Sequence, residues 1–214
     1  MGNRHMIELI LQLGMALFWT ITYILIIRKG FKDRAHGMPM VALCANICWE
    51  FIFSFIYPAE GIQLIVNIVW FSLDCVIVLQ FFIFGWKEFK KYTPLRYFYP
   101  TFIFGLILSF FIIVAISREF NDFRGKYAAF SQNFIMSALF ISLILKRGNL
   151  KGQSLYIGIC KMVGSLCASI IAFAYYRSPL VMVLATSIFL LDLIYIGCLC
   201  KVSSKNKTST WTNT

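Results

Sequence analysis

Residues 41–58 read VALCANICWEFIFSFIYP, an apolar run long enough to cross a bilayer that carries a glutamate well inside it. A carboxylate in hydrocarbon is costly as an ion, so such a group is usually protonated, paired or turned towards a polar cavity. At helical spacing, Asn46, Glu50 and Ser54 lie on one face, with Tyr57 a turn further along. We therefore predict that this face lines a pocket inside a helical bundle and that Glu50 handles a proton there.

The composition of the whole chain indicates an integral, multi-pass membrane protein. Of its 214 residues, 60% are hydrophobic and 14% are charged, and a soluble domain of this size needs far more polar surface. We expect the plasma membrane if the source is a bacterium and the endoplasmic reticulum if it is a fungus. The net charge of +11 is carried between apolar runs, where it sets membrane orientation, so nucleic acid is not expected as a partner.

Seven apolar segments of about 20 residues each follow one another, and this is the length that crosses the hydrocarbon as a helix. They are residues 7–27, 38–57, 62–84, 98–117, 127–145, 153–175 and 180–200. The predicted fold is an all-α membrane protein, a seven-transmembrane helical bundle over residues 1–201. A flexible polar tail is predicted for residues 202–214. Fourteen of the 20 lysines and arginines fall on the tail side and five on the other, which predicts a cytoplasmic C-terminus and an outside N-terminus.

Neither a metal ion nor another cofactor is expected. The seven cysteines lie inside or at the ends of apolar runs and are predicted to be reduced and buried. Both histidines, His5 and His36, fall outside the predicted spans, which argues against a site of histidine and cysteine ligands. The chain also has no Asp-rich motif for binding a diphosphate through metal ions.

Four ionisable residues lie well within the spans: Glu50, Asp74, Lys161 and Asp192. Each is costly alone in the membrane, so we expect all four to face the interior of the bundle. Depths counted at about 1.5 Å per residue put Lys161 level with Asp192 and predict an ion pair, which could serve only to fix helix register. Asp74 lies near the midplane, where a structural hydrogen-bond network with Asn67 and Trp70 is the alternative to a functional role.

Glu50 has the strongest claim to chemistry, because no basic residue lies at its depth. An unpaired carboxyl group at low dielectric favours its neutral form and can donate a proton. Gln132 and Asn133 lie at a similar depth and are expected to hold helices together or to line the pocket. The aromatic side chains around Glu50 suit an apolar substrate, and aromatic faces attract cations, including carbocations. An acid in a water-poor aromatic cavity is what terpene cyclisation started by protonation requires.

Several segments carry a resemblance to one family. Residues 43–51, LCANICWEF, closed by Tyr57-Pro58, resemble the second span of the integral-membrane terpene cyclases. These are small seven-span enzymes of fungal meroterpenoid and indole-diterpene pathways, with bacterial relatives. The similarity extends to WFSLD at 70–74, Gln132-Asn133 with Met136-Ser137, GQSL at 152–155 leading to Lys161, and LDLIY at 191–195.

The resemblance implies that Glu50 and Asp192 are catalytic and protonate a terminal alkene or epoxide of a farnesyl-type prenyl chain. It also implies a metal-independent reaction that ends by deprotonation or capture of the cation. The depth estimate conflicts with part of this, because it pairs Asp192 with Lys161 and separates it from Glu50. The residues expected to bind the hydrophobic prenylated substrate are Asn46, Trp49, Tyr57, Trp70, Asp74, Gln132, Asn133, Lys161 and Tyr195.

Two other functions are compatible with buried charges. A proton-coupled transporter of small molecules could use the intramembrane acidic residues as a relay, although no inverted repeat is visible. A seven-span photoreceptor could bind retinal through Lys161, although this lysine lies in the sixth predicted span and known rhodopsins use the seventh.

Overall fold

Helices account for every regular element of the computed structural model, which describes residues 2–176 and 178–211, with side chains at 6–176 and 178–204. The elements follow one another in the order of the predicted apolar segments. They are α1 (Gly2–Asp33), α2 (Met40–Phe51), α3 (Ile62–Phe84), α4 (Trp86–Phe89), α5 (Phe98–Glu119), α6 (Lys126–Arg147), α7 (Leu155–Ile171) and α8 (Pro179–Trp211). Two π-helical turns, Ile52–Ile56 and Ala172–Tyr176, continue α2 and α7, and a short 3₁₀ turn, Leu95–Tyr97, leads into α5.

Six of the predicted spans are confirmed as candidate membrane spans by their length and apolarity. The seventh apolar helix, Met40–Ile56, is shorter. At about 1.5 Å per residue its 17 residues rise about 25 Å, against about 30 Å of hydrocarbon. The prediction of an all-α fold is therefore confirmed, and the segment that contains Glu50 forms the shortest of the seven predicted spans.

The helices extend beyond the apolar runs at both ends of the chain. α1 continues to Asp33, and α8 continues to Trp211, which carries helix into the segment predicted as a flexible tail from residue 202. The flexibility of that tail stays a prediction, and residues 212–214 lie outside the described residues. The described residues also leave out four of the basic residues that were counted for the membrane orientation. These are Arg177 and the side chains of Arg4, Lys205 and Lys207.

Helix α2 occupies the middle of the bundle. It packs against α3, α5 and α6, while α1 packs along α7, and α8 packs along α6 and α7. Gly164 of α7 allows the close approach of α1, because a Cβ atom there would lie 2.7 Å from Cδ1 of Trp19. The small residues of the sixth predicted span therefore act as the sequence indicates, by admitting a neighbouring helix.

An ionic cluster ties three connections together at the end of the bundle where α1 meets α2. Arg147 Nη2 lies 2.6 Å from Glu88 Oε2, and His36 Nε2 lies 2.8 Å from the same oxygen. Arg147 Nη1 also donates to the His36 carbonyl at 2.9 Å. Burial alone would raise the pKa of Glu88, but hydrogen bonds from His36 and Arg147 outweigh it and hold this pKa at about 2.

The seven cysteines all lie among the described side chains, and all are free thiols. Cys44 and Cys48 are buried, as predicted, whereas Cys75 and Cys200 lie exposed on the surface of the bundle. Apolar runs mark both core and lipid-facing positions, so burial of these two could not be read from hydropathy alone.

Candidate functional site

A cavity of about 1010 Å³ lies between the helices and is lined by residues of α1, α2, α3, α6 and α7. It reaches the surface at the end of the bundle where the α2–α3 and α5–α6 connections lie, and its lining there includes Glu60 and Arg124. This volume is at the upper end of the roughly 300–1,000 Å³ typical of small-molecule sites. The cavity is therefore large enough for a long apolar ligand.

Glu50 lies in the wall of this cavity with 1% of its surface exposed. The Tyr23 hydroxyl of α1 donates to Glu50 Oε1, and Asn46 Nδ2, one turn earlier on α2, donates to the same oxygen at 3.0 Å. The other oxygen, Oε2, is buried and has no hydrogen-bond partner among the described residues. One carboxyl oxygen is thus held by the protein, and the second remains available.

Asp74 of α3 forms a pair with Glu50. Asn46 Nδ2 also donates to Asp74 Oδ2 at 2.8 Å, so a single amide group bridges the two carboxyl groups. No lysine or arginine forms an ion pair with either group in the described part of the chain. Two buried carboxyl groups without a cation cannot both ionise, so the pair holds at least one proton.

Asp74, Asn67 and Trp70 of α3 each form a hydrogen bond to a neighbouring helix, so the alternative of a structural network stays a prediction, although the three residues do not bond to one another among the described residues. Asn67 Nδ2 donates to the Phe53 carbonyl at 3.1 Å, and Trp70 Nε1 donates to Thr20 Oγ1 at 3.0 Å. The hydrogen bonds of Asn67 and Trp70 are therefore separate from that of Asp74, which bonds Asn46.

Aromatic side chains form much of the cavity wall. Trp19, Trp49, Tyr57 and Trp70 all line it. The indole N–H of Trp49 donates to the Gly125 carbonyl at 2.9 Å, and that of Trp70 is bonded to Thr20. Because the protein occupies these polar atoms, the rings face the cavity's contents chiefly as apolar, electron-rich surfaces.

Two amides of α6 complete the polar part of the lining. Gln132 Nε2 lies 3.5 Å from Asn46 Oδ1, and Asn133 Nδ2 donates to Ser165 Oγ at 2.9 Å. The buried oxygens Gln132 Oε1 and Asn133 Oδ1 have no partner among the described residues. Both residues belong to the cavity, as the sequence predicts, and both present a free acceptor.

The two π-helical turns contribute to the same cavity. Ile56 belongs to the first turn and Tyr176 to the second, and both residues line the cavity. A π turn inserts one residue into the helical repeat and is frequent at functional sites. Tyr57 directly follows the first π turn, so its angular position about the helix axis differs from the one that regular α-helical spacing predicts. It nevertheless lines the cavity.

Lys161, Asp192 and Tyr195 lie behind the cavity wall. Lys161 Nζ lies 2.7 Å from Asp192 Oδ1, which confirms the predicted ion pair. Among the described residues, the cavity lining includes neither partner of this pair. Tyr195 also lies outside the lining and is hydrogen-bonded to Gln153. Proton donation by Asp192, which the resemblance implies, stays a prediction.

Sequence reasoning missed the contribution of α1. Trp19 and Tyr23 lie one helical turn apart, and their ring centroids are 6.1 Å apart. Tyr23 also stacks on Trp70 with centroids 6.2 Å apart. The available signal was the i, i+4 spacing of two large aromatics with polar atoms, since each needs a hydrogen-bond partner when buried.

The described residues include no group of three or more His, Cys, Asp or Glu side chains arranged to hold a metal ion. Glu50 in the cavity wall and Asp74 behind it form a buried carboxyl pair that the Asn46 amide bridges. Its geometry suits the storage and transfer of a proton.

Comparison with known proteins gives one consistent result. The model of a family described as Pyr4-like transmembrane terpene cyclases matches residues 3–205. The Pyr4-family terpene cyclase mfmH of Annulohypoxylon moriforme is 31% identical over 167 residues, 76% of this chain and 69% of that one. Terpene cyclase idtB of Claviceps paspali is 29% identical over 208 residues, 89% of this chain and 85% of that one. No solved structure matches the chain.

Proposed function

The chain belongs to the Pyr4-like transmembrane terpene cyclases, and we propose that Glu50 starts the cyclisation of a prenyl chain by protonating its terminal alkene or epoxide. The observation that carries this proposal is a buried carboxyl group in the wall of an aromatic cavity, linked through Asn46 to a second buried carboxyl group, with no cation paired to either among the described residues. Family membership favours this reaction over proton-coupled transport and over binding of retinal at Lys161.

The proton comes from Glu50 Oε2, the oxygen that lacks a partner among the described residues. Its O–H bond breaks as a C–H bond forms on the alkene, or as an O–H bond forms on the epoxide and the ring opens. The carbocation is then attacked by the π electrons of the next alkene. Hydrogen bonds from Tyr23 and Asn46 to Oε1 stabilise the carboxylate that is left.

The aromatic wall protects and stabilises the cation. The faces of Trp19, Trp49 and Trp70 attract positive charge, and an apolar cavity limits access of water to it. The reaction ends when a neighbouring carbon loses a proton or when the cation is captured by a nucleophile. Such a scheme needs no metal ion for its first step, because protonation and not loss of diphosphate creates the charge.

The substrate has an apolar prenyl chain, of farnesyl type, attached to a polar head group. The cavity changes character along its length, with tryptophans near Glu50 and charged residues, among them Glu60, Asp122, Arg124 and Lys126, towards the surface. The tail enters first and places its terminal alkene or epoxide at Glu50, while the head group stays near the charged residues.

The membrane orientation proposed from the distribution of basic residues puts the C-terminus in the cytoplasm. Helix α2 crosses with the six longer helices, which makes seven spans and places the N-terminus outside. The surface end of the cavity then lies on the side opposite the cytoplasm. The membrane is the plasma membrane of a bacterium or the endoplasmic reticulum of a fungus.

The test supplies the purified protein with an aromatic or polyketide head group that bears either a farnesyl or a terminally epoxidised farnesyl chain. Turnover of the alkene substrate in D2O is expected to give a cyclised product with one deuterium on the carbon that Glu50 protonates. A cyclised product without deuterium would show that the reaction starts in another way. Uptake of the substrate into proteoliposomes without conversion would instead favour transport.

A further inference from the structure

The ion pair behind the cavity is placed to act on the reaction without touching the substrate. Lys161 and Asp192 are both fully buried. Lys161 Nζ also donates to Ser137 Oγ at 2.6 Å, and it lies 5.7 Å from the centroid of the Trp19 ring. Trp19 lines the cavity, so one aromatic ring separates a buried ammonium group from the cavity.

We infer that Asp192 serves the cyclisation by neutralising the Lys161 ammonium behind Trp19, as a positioning residue and not as a proton donor. This inference rests on the proposed function, because it concerns the carbocation that the proposed reaction creates. It also accounts for the position of Asp192, whose bonded oxygen is held by Lys161 at 2.7 Å.

The effect of an unpaired ammonium group on the carbocation depends on the distance between them. A carbocation within about 6 Å of the Trp19 ring, on its cavity side, would lie about 10 Å from Lys161 Nζ. At an effective dielectric constant of about 20, an unpaired charge at this distance slows formation of the cation by roughly tenfold. Asp192 turns the isolated charge into a compact ion pair, whose field falls off more steeply.

The third partner links the pair to the cavity wall. Ser137 accepts from Lys161 and donates to the Asn133 carbonyl at 3.0 Å, and Asn133 lines the cavity. If the ammonium is removed, Ser137 keeps this second bond. A variant without both charges therefore leaves no orphaned hydroxyl group, and buried ion pairs replaced by apolar residues of similar volume often fold well.

The test compares Asp192→Asn, Lys161→Met and the double variant Lys161→Met with Asp192→Leu. For Asp192→Asn we expect kcat per folded molecule to fall by roughly tenfold with KM unchanged, since the neutral substrate does not sense the charge as the cation does. Lys161→Met leaves no positive charge and is expected to keep kcat within about threefold of wild type, as is the double variant.

Lys29→Met is the matched control. It removes a lysine from the half-exposed ion pair with Asp33 on α1, where Nζ and Oδ2 are 2.8 Å apart. Its kcat and KM are expected to match wild type. Thermal unfolding in detergent gives the folded fraction of every variant.

The difference in kcat between Asp192→Asn and Lys161→Met distinguishes this inference from two other roles of Asp192, as a proton donor and as part of a purely structural ion pair. A proton donor at position 192 predicts that the folded double variant is as inactive as Asp192→Asn, and that result would overturn the inference. A purely structural pair predicts lower melting temperatures with normal kcat per folded molecule in both single variants, and that result would overturn it too. Absence of cyclised product from the wild-type protein would count against the proposed reaction itself.

Discussion

The bundle buries two pairs of charged or chargeable groups, Glu50 with Asp74 and Lys161 with Asp192, and the pairs differ in what faces the carboxyl group. Glu50 is bonded to Tyr23 and to Asn46, whose amide also bonds the Asp74 carboxyl group, whereas Asp192 is bonded to an ammonium group at 2.7 Å. The pair of Glu50 and Asp74 must keep a proton on one carboxyl group. In the pair of Lys161 and Asp192 the ammonium group allows the carboxyl group to be ionised. The partner, more than the acidic residue itself, decides which group can act as an acid.

The largest effect is expected from Glu50→Gln, which removes the acid and preserves the shape of the side chain. We expect kcat to fall by about 10²–10⁴-fold, the usual contribution of a general acid. The assay is product formation from the farnesyl-bearing substrate, with thermal unfolding as the measure of folding. Glu119→Gln, at the exposed end of α5, is the matched control and should keep full activity. A folded Glu50→Gln protein with wild-type turnover would remove Glu50 from the mechanism.

Asp74→Asn comes next, because Asp74 acts on Glu50 and does not line the cavity. A hydrogen bond to a charged group contributes about 1.5–3 kcal/mol, which corresponds to a loss in kcat of roughly 10- to 100-fold. KM is expected to stay constant, since Asp74 is not among the residues that line the cavity. A change in KM alone would show that Asp74 contacts the substrate, and the comparison of the two pairs would need revision.

The sequence predicts much of this arrangement, because a charged residue in an apolar span is conspicuous. Depth counting placed Lys161 level with Asp192 and found no cation beside Glu50, and the structure agrees on both. The same counting put Asp74 near the midplane and left a gap between it and the Asn46–Glu50 site that it joins. Tertiary packing and the length of two side chains close that gap, and neither can be read from residue spacing.

Other parts of the site leave weak signals in the sequence. Tyr23 is neutral, so hydropathy treats it as an ordinary member of an apolar span. The π turn after Glu50 carries no glycine or proline to mark it, and its residues, IFSFI, look like continued α-helix. Helix ends were also missed, because apolar runs report the thickness of hydrocarbon and not where helices such as α1 and α8 stop.

Tyr23→Phe tests the hydrogen bond between α1 and Glu50, which the hydropathy of the sequence did not predict. It removes the hydroxyl that donates to Glu50 Oε1 and keeps the stacking on Trp70. This hydrogen bond contributes about 0.5–1.5 kcal/mol while Glu50 is neutral and about 1.5–3 kcal/mol once Glu50 is a carboxylate, so the difference of about 1–1.5 kcal/mol lowers kcat by roughly five- to tenfold. Loss of activity as large as in Glu50→Gln would instead identify Tyr23 as the proton donor.

The smallest effect on catalysis is expected at the third ionic group, which lies outside the apolar spans. The pKa of Glu88 is held at about 2, below its ordinary value of 4.5, so its ionised form stabilises the folded protein above about pH 4.5. That stabilisation is lost as the pH falls from 4.5 through 2, because the folded state then takes up the proton it had resisted. Glu88→Gln should therefore leave kcat near wild type and lower the melting temperature at pH 7.

The difference in melting temperature between wild type and Glu88→Gln is expected to shrink as the pH is lowered from 4.5 to 2. Glu119→Gln, measured over the same range, should show no comparable convergence, since it forms no ion pair among the described residues. A constant difference for Glu88→Gln would mean that His36 and Arg147 do not hold the ionised form. Loss of turnover in Glu88→Gln would show that the cluster of Glu88, His36 and Arg147 affects the pair of Glu50 and Asp74. The acidity of a buried carboxyl group would then depend on distant residues as well as on its direct partners.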